Sequence, residues 1–322
     1  MSEKYTYAVA RIRALELALF SNSTIDQLIA CGNYEQCLQF LEEKGWGDNE
    51  TSGNAEAILT REEEKMWKIV EELKVGMEHF DVLSYSKLFH NLKAAIKAVC
   101  TEDMDRHVFY DDVSISGEEM LELVRTKDFQ SLPQNMRQAA EEAYDTLLHT
   151  GDGQLCDVII DRAALDAIYD AGKRAKDEII RDYAESTVAV ADIKIAVRSQ
   201  KTAKSMDFMK RAMAECESID TDRLAKAALG GMDAIREYLL GTSYAEGAEA
   251  LSESPSAFER WCDNRIIQTI RPQKYNAFTI GPIIAYVLAR QNEIKTVRII
   301  LSGKLNDLPE DSIRERVREM YV

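Results

Sequence analysis

The chain has 322 residues, 46% of them hydrophobic, which exceeds what one core usually holds, so two or three sub-domains are expected. Five prolines and fifteen glycines supply few turns, which disfavours a sandwich or barrel and predicts long regular elements. A net charge of −16 argues against a non-specific nucleic-acid partner, because phosphate binding needs clustered cations.

Helical periodicity dominates. Tyr7-Ala8-Val9-Ala10-Arg11 resembles Tyr286-Val287-Leu288-Ala289-Arg290, so the two chain ends are expected to share one helical layer and close the arrangement. Thr24-Ile25-Asp26-Gln27 opens a short helix. The acidic runs from Glu35 to Glu64 and from Glu102 to Glu122 read as solvated faces and loops, with one loop at Gly45 to Gly53. Thr60 and Glu63 form a capping box for a helix to Lys74 that buries Met66, Trp67, Ile69, Val70 and Leu73. Leu88 to Val99 reads as helix, and a loop follows from Thr101 to Ser116. Ser116-Gly117-Glu118-Glu119 then starts a short helix, since an N-cap side chain satisfies an orphan amide.

After a turn at Thr150 to Gly153, Val158, Leu165, Gly172 and Ile179 recur every seven residues along one amphipathic helix from Leu155 to Tyr183. Val188, Val190, Ile193, Ile195 and Val197 are β-branched and partly alternating, which locally favours a strand. The equivalent stretches Leu88 to Val99 and Ala289 to Leu301 look helical, and a lone buried strand would lack ladder partners, so helix is assigned. Asp220-Thr221-Asp222 caps another short helix. Loops are expected at Gly241 to Pro255 and Arg271 to Thr279. Ser254-Pro255 opens a helix carrying Phe258, Trp261, Ile266, Ile267 and Ile270, which Pro272 stops. The apolar run Ile283 to Ala289 is cut by Arg290 and is far too short to span a bilayer. Asp307-Leu308-Pro309-Glu310-Asp311 begins the closing helix.

One phrase recurs at a fixed spacing. Asn91-Leu92-Lys93, Asp192-Ile193-Lys194 and Glu293-Ile294-Lys295 are each 101 residues apart, which predicts one helical unit copied three times. The resulting sub-domains are 1–115, 116–217 and 218–322, in a pseudo-threefold, all-α arrangement. Lys93, Lys194 and Lys295 have two readings. They could contact a partner held on the pseudo-axis, or they cap the same packing feature in each copy with Asp192 or Glu293 at hand; the second is favoured, because repeated residues in repeated units usually report packing.

Chemical signatures are missing. Gly151-Asp152-Gly153 and Gly230-Gly231 lack the Lys-Ser/Thr of a phosphate-binding loop and read as turn and helix-end glycines. His79, His90, His107 and His149 are scattered without cysteines at ligand spacing, so no metal site is expected. Six cysteines lack any Cys-x-x-Cys pair, and with no signal peptide they are expected to be reduced in the cytosol. Glu62-Glu63-Glu64 and Asp111-Asp112 lie in polar runs rather than pockets that would shift a pKa. No catalytic or cofactor-binding residue is assigned, and a mechanical or binding role is expected.

The most specific stretch is Phe278-Thr279-Ile280-Gly281-Pro282 with Tyr286 through Lys304. It resembles the C subunits of the bacterial and archaeal V-type (A-type) ATPases, the counterparts of the d subunit of the vacuolar proton pump. Leu308 to Arg316 fits the family's closing helix. Tyr7 to Arg13, Tyr34 to Leu38 and Asp192 to Arg198 are also similar to it. The resemblance implies a funnel-shaped, three-domain, non-catalytic rotor collar without cofactor or direct nucleotide binding. Its implied partners are the shaft subunits D and F and the membrane proteolipid ring, with the chain peripheral on the cytoplasmic side. Among the late basic residues Arg260, Arg265, Arg271, Lys274, Arg290, Arg298 and Lys304, some are expected to face partners; solvated helix faces explain them equally well. Interface candidates are therefore Lys93, Lys194, Lys295, Arg290, Arg298 and Lys304. A free-standing helical scaffold, or an enzyme with an unrecognised pocket, are the alternatives.

Overall fold

A computed structural model describes residues 5–101 and 109–322. His107 and the middle of the expected Thr101–Ser116 loop lie outside them. The described residues form 16 α-helices and no strand. The chain is all-α. The β-branched stretch around Val190 lies inside helix α9, so burial on a helix face overrides local strand propensity.

The chain divides into two compact units. Unit 1 combines the N-terminal 78 residues with residues 246–322 and Asp177–Ile179. It contains α1 (Thr6–Glu16), α2 (Asn22–Ile29), α3 (Tyr34–Glu43), α4 (Ala55–Leu73), nearly all of α13 (Ala245–Glu253), α14 (Pro255–Ile270), α15 (Gly281–Leu305) and α16 (Glu310–Arg314). Helix α15 is buried on nearly every side and packs with α1, α2, α3, α4, α14 and α16. Its first half, Gly281–Ala289, is apolar all round as a helix without a solvent face must be, whereas Lys295 and Arg298 further on reach solvent. Ile294, Val297, Ile300 and Leu301 join Ile25, Leu28, Leu41, Ile58 and Ile313 in one core.

Unit 2 spans His79–Lys176 and Ile180–Ala245. It holds α5 (Asp81–Thr101), α6 (Gly117–Arg125), α7 (Gln134–Thr150), α8 (Gly153–Arg174), most of α9 (Glu178–Lys201), α10 (Met206–Ala212), α11 (Thr221–Gly230) and α12 (Met232–Leu240). Its core gathers Phe89, Leu92 and Ile96 of α5 with Met120, Val124, Met136, Ala140, Ala143 and Ile160. No helix among the described residues is long and apolar enough to cross a membrane.

Caps at Ser116, Asp220 and Ser254 accept the amides of Glu119, Arg223 and Ala257, as the spacing predicts. Four boundaries differ from expectation. Helix α4 starts at Ala55, because Asn54 Oδ1 accepts the Ala57 amide at 3.1 Å; Thr60 already lies inside it. Helix α2 starts at Asn22, capped by Ser21. Helix α13 occupies the interval expected to be loop between Gly241 and Pro255. The single helix expected from Leu155 to Tyr183 breaks at Ala175, which turns extended. Arg181 then donates to the carbonyls of Ala175 and Lys176, both at 3.0 Å, satisfying groups that a continuing helix would have bonded. Beyond the break the two helices approach so closely that a Cβ at Gly172 would lie 2.4 Å from the Ala184 Cβ.

Candidate partner interface and the buried anchors of the repeat

The recurring phrase falls on α5, α9 and α15, and in each copy the residue that opens it is buried: Asn91, Asp192 and Glu293. Each turns away from solvent toward the segment that leads into a short capped helix. Asn91 accepts the Tyr110 amide on Oδ1 and donates Nδ2 to the Tyr110 carbonyl, both at 2.8 Å, six residues before the cap Ser116. Asp192 Oδ1 accepts the Ala214 amide at 2.9 Å, six residues before the cap Asp220. Glu293 Oε1 accepts the Phe20 amide at 2.5 Å, next to the cap Ser21. A side chain rooted in a helix thereby satisfies backbone groups outside regular structure, buried at Phe20 and Ala214 and part-buried at Tyr110.

The three anchors meet different surroundings. Asn91 is neutral. Burial pushes the Asp192 carboxyl up to about 8, against the opposing Ala214 amide and Arg162; Asp166 and Glu185 push the same way as burial. Asp192 Oδ2 is buried and has no hydrogen-bond partner among the described residues. Burial also raises Glu293, but Arg290 one turn earlier contacts it and opposes the shift. For Arg290, burial works against the charge, and Glu293 and Glu62 outweigh it, so its pKa rises.

Arg290 donates to Glu62 Oε2 of α4 at 2.6 Å. Glu62 Oε1 accepts the Gly47 amide at 2.9 Å and the Lys65 ammonium at 2.6 Å. Two acids and two bases thus form one balanced chain. The Arg290 guanidinium also lies 5.1 Å over the Trp46 ring, which stacks on Phe20. Glu62, expected in a solvated run, is instead buried here. Charges taken out of water this way persist only when every partner is present.

The six interface candidates fare differently. Lys93 pairs with Asp161 of α8 and Lys295 with Asp263 of α14, both at 2.7 Å. Lys295 pairs with Asp263 rather than with Glu293 two residues earlier, because positions i and i+2 point to different sides of a helix. Lys194 is half-buried on α9. Arg298 is half-exposed and pairs with Glu56. Arg290 is buried in the ion cluster. Lys304 is buried too, its side chain 8% exposed, and its ammonium donates to the Cys31 carbonyl at 2.6 Å. Lys295 and Arg298 therefore present the most accessible side chains of the set.

Arg298 borders an open groove of about 530 Å³ among α14, α15 and α16, with Glu259, Arg316 and Arg318 on its rim. A second groove of about 670 Å³ lies among α7, α8 and α10, floored by Leu155, Val158, Ile159 and Ala163. Both are wide open, unlike the enclosed apolar clefts that bind small ligands. No group of three His, Cys, Asp or Glu side chains that could hold a metal ion occurs among the described residues.

The anchoring roles of Asn91, Asp192 and Glu293, and the burial of Glu62 and Arg290, escaped the sequence reading. For the three anchors the available signal was a polar residue recurring at the repeat period within an otherwise apolar helix face.

Comparison with known proteins matches this sequence to one family. The C subunit of a V-type sodium ATPase from Enterococcus hirae is 24% identical over 96% of this chain and 97% of its own length. The C subunit of the A-type ATP synthase of Methanocaldococcus jannaschii is 22% identical over 96% of this chain and 85% of its own. The same-named protein of Halorubrum lacusprofundi is 24% identical over 97% and 96%. The family model for the ATP synthase (C/AC39) subunit matches residues 8–316, and the chain belongs to that family of V/A-type ATPase components.

Proposed function

We propose that this chain is a non-catalytic central-stalk subunit of a V/A-type ATPase. It couples the shaft subunits D and F to the membrane proteolipid ring and transmits torque for ATP-linked proton or sodium transport. In this reading it sits peripherally on the cytoplasmic side, held through the ring, and binds no nucleotide. The observation that carries the proposal is the end-to-end family match, residues 8–316, to a subunit of this machine.

The buried anchors supply a physical rationale. A coupling must not yield under load, and close-packed helical interiors resist deformation. Asn91, Asp192 and Glu293 each tie an irregular segment to a long helix, where slack would otherwise gather. Their common role also supports three related lobes over 1–115, 116–217 and 218–322, the last closing on the first through Glu293 and Phe20, as a pseudo-threefold funnel requires. A ring of many identical proteolipids meeting three lobes would mismatch in symmetry, which favours adaptable polar contacts such as Lys295 and Arg298.

Deletion of the gene is the test. Loss of ATP-driven ion pumping, with ATP hydrolysis by the soluble head retained, is the expected outcome. Abolished hydrolysis by the isolated head would refute the adaptor role. Co-purification with the proteolipid ring or the small shaft subunits separates it from a free-standing scaffold.

A further inference from the structure

Residues 271–280, between α14 and α15 of unit 1, form a small knob that holds two aromatic rings in solvent. Tyr275 is 92% exposed and Phe278 61%. Leaving two such rings wet forgoes the stabilisation that burial would bring.

The exposure is enforced by the backbone. Arg13 of α1 donates to the Gln273 carbonyl at 2.5 Å and the Asn276 carbonyl at 2.8 Å. Asn276 donates Nδ2 to Thr279 Oγ1 at 2.7 Å and accepts the Phe278 amide on Oδ1 at 3.2 Å. Thr279 Oγ1 accepts the Gly281 amide at 3.1 Å. Gln273 is buried against Gly281, where a Cβ would stand 2.0 Å from its Oε1, so the knob closes tightly on the start of α15. The segment is ordered before any partner arrives, and rigid aromatic anchors of this kind dominate interface energetics.

Charge narrows the partner. The knob carries Arg271 and Lys274 and no acid, within a chain of net charge −16. Arg271 bonds Glu319, and the Lys274 ammonium lies 4.9 Å over the Tyr321 ring. A broad anionic lipid surface would face the rest of this acidic chain as well as the two cations, whereas a recess that admits only the knob confronts its cations alone. A protein recess with an acidic rim suits both the rings and their flanks.

We propose that Tyr275 and Phe278 anchor this chain in an apolar, carboxylate-rimmed recess on another subunit of the same ATPase. The inference rests on the assignment to that complex given above. To test it, the photoreactive residue p-benzoylphenylalanine replaces Tyr275 or Phe278 in the full chain, in cells making the whole complex. Exposed Leu148 of α7 serves as the control position. Irradiation is expected to join positions 275 and 278, and not 148, to an acid-containing peptide of one other ATPase subunit. The double variant Tyr275→Ser/Phe278→Ser, with unchanged melting, is expected to be held by the complex at least about tenfold more weakly. Cross-links only to lipid or to a second copy, none from an assembled complex, or undiminished retention of the double variant would each overturn the inference. If the unaltered chain itself never co-purifies with ATPase subunits, the assignment to the complex fails first and the recess inference falls with it.

Discussion

Glu293 receives the backbone amide of Phe20 across 273 residues of chain, joining α15 to the entry of α2. The same carboxylate contacts Arg290, which reaches Glu62 and Trp46, so one buried cluster stitches the two ends of the chain together. Arg290→Met should destabilise unit 1 by about 3–5 kcal/mol, because it strands a buried carboxylate. Adding Glu293→Gln should recover part of that loss, since the amide removes the orphan charge and still accepts from Phe20. Urea unfolding of the two single variants and the double gives the coupling energy. Simple additivity would show that the cluster is not a unit.

Asp192 makes a pH signature. Its folded carboxyl sits at about 8 against an ordinary 3.8, so between these values the native state holds a proton that the unfolded chain has released. Stability from this site is therefore present at low pH and is lost as pH rises toward 8. Asp192→Asn keeps an acceptor for Ala214 and cannot ionise. Wild type should lose up to about 1.4 kcal/mol per pH unit relative to this variant across that window. Parallel melting curves for the two proteins from pH 5 to 8 would contradict it.

Gly172 fixes the spacing of α8 and α9, since a methyl group there collides with Ala184. Gly172→Ala should cost about 1–3 kcal/mol despite its better helix propensity. Ala184→Gly in the same chain should return most of the loss, and thermal melts of the pair would reveal the compensation.

Lys295→Ala should cost less than about 1 kcal/mol, because the pair with Asp263 is half-exposed and Arg318 donates to the same carboxylate at 2.6 Å. If Lys295 serves a partner, its loss weakens retention in the complex while leaving the melting temperature unchanged. A matched loss of stability and retention would assign it to packing instead.

The legible part of this molecule was local. Ser116, Asp220 and Ser254 cap helices because an N-cap is a contact between residues two or three apart, and the helical period is equally local. In α8, however, the buried side is that of Cys156, Ile160, Ala164 and Ala167 rather than that of Val158 and Leu165. The period of 101 residues likewise needed only the order of side chains. Glu62 shows the opposite case: among Glu63 and Glu64 it looks solvated, and only the arrival of Arg290, 228 residues later, makes its burial tolerable. Gly172 looked like a core position of one long helix and instead marks where two helices touch.

Composition, apolar periodicity and capping residues thus settled an all-helical chain, because those forces act within a few turns. Which recurring polar side chains turn inward, and which backbone they hold, depended on segments far apart in the chain coming together. A buried carboxylate or amide is stable only where a distant donor meets it, and no local pattern names that donor.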